Sequence, residues 1–167
     1  MTRQPNSLLS RGAIALALYA PAVALLFYFL GGILPFALQA LGIDADTGFL
    51  HGIYSHVCHQ IPDRSFAINS VQMGFCARCS GLYGSLSLVS LIIAVTGKTK
   101  PIPWFWLLLL CLPMILDVIF DLSAISDLNN YLRLATGVLG GVGTSLFIYP
   151  RLVSAVRYSL APERDDL

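Results

Sequence analysis

The residues of this chain that are best suited to chemistry lie between positions 56 and 79. Cys58 is followed directly by His59, and Cys76 and Cys79 form a Cys-x-x-Cys motif further along the chain. Three cysteines and one histidine are a common ligand set for tetrahedral Zn²⁺. Because adjacent ligands are awkward to place on one metal ion, His56 is an alternative to His59. The pattern therefore predicts a metal site, and its ligand types favour zinc over copper or iron.

A disulfide is one alternative use of the same cysteines. Thiols that face the outside of a cell meet oxidising conditions, under which disulfides form and persist. Cys58 bridged to Cys76 or Cys79 would tie the segment around Cys58 to the helix that follows the motif. One thiol of the three would then stay unpaired. This alternative predicts a purely structural role.

Redox catalysis is the second alternative. A Cys-x-x-Cys motif at the start of a second membrane helix is similar to that of the disulfide-forming quinone reductases. Arg78 and the helix N-terminus would both favour a thiolate at Cys76 or Cys79. Quinone would be the cofactor in this case. Cys111 lies within an apolar segment, and we expect it to serve packing alone.

Charged residues near the motif form a second candidate group. Asp117 and Asp121 are four residues apart and so lie on one face of a helix. We expect Asp117 to face the bundle interior, where it would pair with Arg78 or Arg133. It is the candidate general base for a metal-bound water, whereas we expect Asp121 to be solvated. Arg64 is expected to form a salt bridge or to extend to lipid headgroups, and an anion such as a lipid phosphate is its alternative ligand.

The composition indicates the environment in which these groups must be positioned. Hydrophobic residues make up 56% of the 167 residues and charged residues only 11%, against roughly 45–50% and about 25% in soluble domains. A soluble core could not cover this much apolar side chain, so we expect an integral membrane protein. The net charge of +1 gives no electrostatic reason to expect a nucleic-acid partner.

Four apolar stretches are long enough to cross a bilayer, which takes roughly 17–25 residues in a helix. We therefore predict an all-α membrane protein, a four-transmembrane-helix bundle that forms a single membrane domain over residues 1–167. The helices are predicted at about 13–41, 74–95, 104–122 and 131–149, with a long external loop at about 42–73. Pro21 and Pro35 are expected to kink or end the first helix, and Pro150 follows the end of the fourth.

The distribution of basic residues predicts the orientation, because short cytoplasmic loops carry an excess of Lys and Arg. With four spans, seven of the ten basic residues fall on one side: Arg3, Arg11, Lys98, Lys100, Arg151, Arg157 and Arg164. We therefore expect both termini to be cytoplasmic and the cysteine motif to be extracytoplasmic.

Several of these motifs resemble a family of small prokaryotic membrane proteins, Domain of Unknown Function 2085. The resemblance rests on "CHQIPDRSF", "CARCSGLYG", an aspartate after a proline in a later helix, and "RLATGVLGG". It implies a prokaryotic inner membrane and a shared site, but no activity. By position, the residues it marks are Cys58, His59, Arg64, Ser65, Cys76, Arg78, Cys79, Gly81, Tyr83, Asp117 and Arg133.

The sequence thus predicts a small membrane protein with an extracytoplasmic metal site, and it leaves open whether the protein is an enzyme. Processing of a lipid or another small molecule would require an open position on the metal. A closed site would instead make the protein a scaffold held by a metal or a disulfide. Membrane lipids are the expected partners, together with an extracytoplasmic small molecule or protein that the sequence does not identify.

Overall fold

A computed structural model describes residues 7–43, 46–97, 100–123 and 129–160 of the chain. Within these residues, four helices are long and apolar enough to cross a membrane, which confirms the predicted helical membrane fold. Their bounds are α1 Ser7–Ala40, α3 Ala77–Thr96, α4 Trp104–Leu122 and α5 Asn130–Leu160. Of the basic residues that predicted the orientation, Arg3, Lys98 and Arg164 lie outside the described residues.

Two helices extend further than the prolines in the sequence predict. α1 continues through Pro21 and Pro35, and α5 continues ten residues beyond Pro150. A proline removes one backbone hydrogen bond but does not have to end a membrane helix, because neighbouring groups can satisfy the freed carbonyl. In α5 the carbonyl of Leu146, which loses its helical donor because residue 150 is a proline, accepts a hydrogen bond from the amide of Ile102 at 3.3 Å. Both helices therefore continue through their prolines.

The helices α3 and α5 form the central pair, with α1 packed mainly on α3 and α4 on α5. The pair is close because glycines meet at the crossing. A Cβ atom on Gly81 would clash with the carbonyl of Leu134, and one on Gly137 would clash with the carbonyl of Arg78. Backbones can approach this closely only where small residues face each other.

The segment between α1 and α3 is folded rather than extended. It contains the short helix α2 (Gly48–Tyr54), a 3₁₀ turn (Pro62–Arg64) and a two-residue hairpin of β1 (Ala67–Ile68) and β2 (Val71–Gln72). Its end is fixed to α1 by a hydrogen bond of 2.7 Å from the amide of Gly74 to the carbonyl of Gly32. This segment lies at the end of the bundle where α3 and α5 begin, which we call the cysteine end.

Candidate functional site

Three cysteines meet at the cysteine end and form the cysteine cluster. Cys58 follows α2, Cys76 is the residue that precedes α3, and Cys79 lies in the first turn of α3. Their three Sγ atoms all lie within 4.8 Å of one another. Cys58 is buried, and the other two are partly buried. The structure therefore brings together the three thiols that the sequence assigns to one site.

The loop is held in place by hydrogen bonds that converge on Gln60. The side-chain amide of Gln60 donates to the carbonyls of His51 and Gly74, each at 3.0 Å. The carbonyl of Gln60 accepts from the side chain of Gln72 at 3.1 Å. Gln60 has a φ of +49°, which turns the chain immediately after Cys58 and His59. No signal in the sequence marks Gln60 for this role.

An aromatic shell surrounds the thiols. It consists of Tyr28 on α1, Tyr54 on α2, Phe75 before α3 and Tyr83 on α3, with ring centroids 4.7–5.6 Å apart. Phe75 is completely buried. Its ring packs so closely on α1 that a Cβ atom at Gly32 would clash with it, so the contact requires glycine at this position. Tyr83, which the family resemblance marks, is thus a member of the shell and contacts Tyr28 and Phe75. The shell gives the thiols a largely apolar environment.

Hydrogen bonds hold the pKa of the Cys58 thiol well below its usual range. The thiols of Cys76 and Cys79 have the largest effect, and the backbone amides of Cys76 and Gln60 add to it, whereas burial acts in the opposite direction. The amide of Cys76 lies 3.1 Å from the sulfur of Cys58. Thiolate is the form of cysteine that acts as a nucleophile or metal ligand. The local hydrogen bonds therefore favour the reactive form at Cys58.

The histidines lie around the cysteine cluster rather than in it. His56 and His59 are both exposed, and neither belongs to the group of converging ligand atoms that the described residues form. His51 joins two parts of the loop, because its ring nitrogens lie 3.0 Å from the carbonyls of Thr47 and Gln72. The metal ligands proposed at His59 or His56 thus stay predictions.

Arginines and aspartates form a second group, the charged cluster, on the side of α3 that faces α4 and α5. Asp121 is its centre and contacts Arg64 at 2.6 Å, Arg133 at 3.0 Å and Arg78 at 3.4 Å. Its side chain is only 7% exposed, so the expectation of a solvated Asp121 is wrong. Three arginines from separate parts of the chain cover this side chain. They are far from Asp121 in the sequence, so the sequence does not predict these contacts.

Asp117 is the deeper carboxylate of the charged cluster. One oxygen, Oδ2, accepts hydrogen bonds from Arg78 at 2.8 Å and from the hydroxyl of Thr136 at 2.9 Å. The other oxygen is buried and has no hydrogen-bond partner among the described residues. Sequence reasoning missed Thr136, although its place one turn after Arg133 puts both on the same face of α5.

The two clusters are adjacent because α3 contributes to both in its first turn. Cys76 and Cys79 face the loop and α1, while Arg78 between them faces α4 and α5. The charged cluster has five members, three arginines and two aspartates: Arg64, Arg78, Arg133, Asp117 and Asp121. The arrangement can hold a soft cation on one side of α3 and an extended ion-pair network on the other.

Together these features define a class of protein: a helical membrane protein with a cluster of thiols at one end of its bundle. The sequence profile of the family described as "Predicted membrane protein (DUF2085)" matches residues 58–147, so the chain belongs to this family. That range includes the three cysteines and every member of the charged cluster.

Two archaeal proteins that are similar to this chain are described only as uncharacterised. A protein of Methanocaldococcus jannaschii is 36% identical over 104 residues, which cover 60% of this chain and 67% of that protein. A protein of Methanothermobacter thermautotrophicus is 28% identical over 94 residues, which cover 56% of this chain and 85% of the relative. No solved structure matches the chain.

Proposed function

We propose that the protein is a membrane metal-binding protein in which Cys58, Cys76 and Cys79 hold one zinc ion. The observation that carries this proposal is the convergence of the three sulfur atoms within 4.8 Å. Zinc–sulfur bonds of about 2.3 Å at tetrahedral angles would place sulfur atoms roughly 3.8 Å apart. Small side-chain movements would reach that spacing. The donor set therefore fits the ion.

The chemistry of the donors also supports zinc. Three thiolates together in an apolar shell would be very costly without a cation to balance them. Thiolate ligands select Zn²⁺, Cu(I) and iron–sulfur clusters over Mg²⁺ or Ca²⁺. Tyr54 and Phe75, both buried, would exclude water from one side of the site. The three cysteines would hold the ion, and the shell would protect it.

The fourth ligand decides between a structural and a catalytic role. A bound zinc ion with an open position supplies a Lewis acid and lowers the pKa of bound water. Within the described residues no other ligand atom joins the three sulfurs, so the proposed site takes its fourth donor from His59, from His56 or from an external ligand. If the site is catalytic, Asp117 is the candidate general base. Its contacts are with Arg78 and Thr136.

Zinc analysis of detergent-purified protein tests the proposal. We expect about one zinc ion per chain in the wild type and little in Cys58→Ser or Cys76→Ser. Cys111→Ser is the matched control, because Cys111 lies on α4 away from the cluster, and it should keep its zinc. Helix content, measured by circular dichroism on the same samples, separates loss of the ligand from loss of the fold.

The redox alternative predicts a different result in the same samples. Oxidation of Cys76 and Cys79 to a disulfide releases two protons and two electrons, which would reduce one quinone to the quinol. The protein would then contain no zinc, two of its thiols would be oxidised, and the chemically reduced protein would convert added quinone to quinol as the disulfide forms again. This outcome would replace zinc binding by thiol–disulfide chemistry.

We further propose that the cysteine end faces the extracytoplasmic side of a prokaryotic cytoplasmic membrane. Lys100 and Arg151 support this, because both are exposed at the opposite end of the bundle, where the positive-inside rule favours the cytoplasm. A fluorescent protein fused to the C-terminus should fluoresce, as it does when it folds in the cytoplasm. If this fusion does not fluoresce and an alkaline phosphatase fused at the same position is active, the orientation is opposite to the proposed one.

A further inference from the structure

Exposed apolar side chains form a stripe along α2 and the turn that follows it. Phe49, Ile53 and Val57 are spaced four residues apart, and they are 78%, 43% and 48% exposed. The turn after α2 keeps helical hydrogen bonding, because the amide of Cys58 donates to the carbonyl of Tyr54 at 3.0 Å. Residues four apart lie on one face of a helix. The three apolar residues therefore share one face, which we call the α2 stripe.

The other two faces of α2 are already occupied. Leu50, Tyr54 and Cys58, also four residues apart, pack into the aromatic shell and the cysteine cluster. His51 and Ser55 form a polar face, and their side chains contact backbone carbonyls of the loop. The helix is therefore amphipathic, with an apolar side wider than the part that the protein covers. The uncovered part of that side is the α2 stripe.

The length of α3 indicates where the membrane boundary lies at the cysteine end. α3 has 20 residues, which at about 1.5 Å per residue span about 30 Å, the thickness of the hydrocarbon core. Its first residue, Ala77, therefore lies near the boundary of that core. Just before α3, the amide of Gly74 donates to the carbonyl of Gly32 on α1. The boundary thus crosses α1 near Gly32, well before this helix ends at Ala40.

α2 is fixed to α1 at the same depth. The hydroxyl of Tyr54 donates to the carbonyl of Tyr28 at 2.8 Å, and a Cβ atom on Gly31 would clash with this hydroxyl. On α1, Phe27 lies one turn before Gly31 and Leu34 one turn after it, and both are exposed. Both belong to a membrane span, so their exposed surfaces face lipid. α2 therefore lies beside the lipid-facing surface of α1, at the boundary of the core.

We propose that α2 is an interfacial helix, whose stripe contacts the acyl chains of the bilayer and whose polar face is turned toward water. Amphipathic helices of this kind bury their apolar face about 5–10 Å into the boundary between headgroups and acyl chains. Contact with lipid removes the cost of exposing three large apolar side chains to water. The bilayer then holds α2 against α1, together with the loop that carries Cys58. This placement does not depend on a metal in the cysteine cluster.

The fluorescence of single tryptophans in the full-length chain tests the placement. The background carries Trp104→Phe and Trp106→Phe, and one tryptophan is introduced by Phe49→Trp or Ile53→Trp. Each protein is placed in phosphatidylcholine bicelles, whose two faces are both open to water, with or without bromine near the top of the acyl chains. We expect both variants to emit at shorter wavelength than tryptophan in water and to lose fluorescence in the brominated lipid. Iodide in the water should quench them only weakly.

Two control variants calibrate the measurement. Ser55→Trp lies on the polar face of α2, where Ser55 is exposed, and it should be quenched by iodide and little by brominated lipid. Leu112→Trp lies near the middle of α4 at a residue that is 47% exposed. It should be quenched most by lipid brominated near the end of the acyl chains. Circular dichroism identifies the variants that keep the helix content of the wild type, and only these are compared.

Two outcomes would overturn the proposal. Quenching of both stripe variants by iodide as strongly as Ser55→Trp would place the α2 stripe in water. Shielding of both variants from iodide and from brominated lipid would mean that protein, such as a second copy of the chain, covers the stripe. Neither outcome bears on the zinc content of the wild type, so this proposal and the zinc proposal can fail separately.

Discussion

The cysteine cluster and the charged cluster share the first turn of α3, yet they are built in different ways. Cys76 reaches a partner only 18 residues away in sequence, and its surroundings come from the loop before α3 and from the adjoining ends of α1 and α3. Arg78 reaches partners 39 and 43 residues away on α4. The cysteine cluster fixes the loop to α3, whereas the charged cluster joins α3, α4 and α5 and includes a single loop residue, Arg64. Their losses should therefore affect different parts of the molecule.

The largest effect should come from the centre of the charged cluster. Asp121→Asn would leave three arginines around a neutral side chain, and breaking a buried ion pair costs about 3–5 kcal/mol. We expect the free energy of unfolding in detergent to fall by this amount, measured by circular dichroism against denaturant concentration. The zinc content of the folded fraction should not change, since the cysteine cluster does not use Asp121.

Asp63→Asn is the matched control for this variant, because Asp63 is exposed in the same loop region as Arg64. It should change the free energy of unfolding by less than about 0.5 kcal/mol. Equal losses in both variants would mean that the ion pairs of Asp121 add no more stability than a surface charge. The contrast between the two clusters would then fail.

A smaller effect is expected from the shell of the cysteine cluster. In Gly32→Ala the new methyl group would clash with Phe75, and overpacking of this kind costs about 1–3 kcal/mol. The displaced ring should also move the thiols, so the proposed zinc ion should dissociate faster in the presence of a chelator. Both the unfolding free energy and the rate of zinc release report this change.

Gly52→Ala provides the comparison for Gly32→Ala. Gly52 lies in α2, and no heavy atom lies within 4 Å of a Cβ built there. Alanine in place of glycine in a helix should stabilise it by about 0.5–1 kcal/mol. If the two variants release zinc at the same rate, the position of Phe75 does not affect the thiols, and the aromatic shell has no part in holding the proposed zinc ion.

The smallest effect is expected away from both clusters, deeper between α3 and α5. The hydroxyls of Ser90 and Ser145 lie 3.2 Å apart across the two helices. Interhelical hydrogen bonds in membranes average about 0.6 kcal/mol, so Ser90→Ala should lower the unfolding free energy by about that amount. This value gives the baseline for an ordinary polar contact in the bundle. A loss as large as that of Asp121→Asn would remove the distinction between the charged cluster and the rest of the interface.

The helices were largely predictable, and the exceptions have a clear cause. α4 has the predicted bounds, because Pro103 precedes it and an apolar stretch of the right length follows. The prediction for α5 stopped at Tyr149, since Pro150 and Arg151 look like a helix end. In the folded chain Tyr149 and Val153 are both buried against α1. Packing on both sides of Pro150 favours continuation of the helix.

The two clusters show what sequence and tertiary structure each decided. Sequence alone determined that this is a helical membrane protein and that its thiols lie near one end of a helix, because apolar length and motif spacing are local properties. Only the tertiary structure decided that His59 is exposed and that three arginines cover the side chain of Asp121, which is 7% exposed. Exposure and charge pairing depend on which distant segments meet, and Asp121 on α4 meets the loop, α3 and α5 at once.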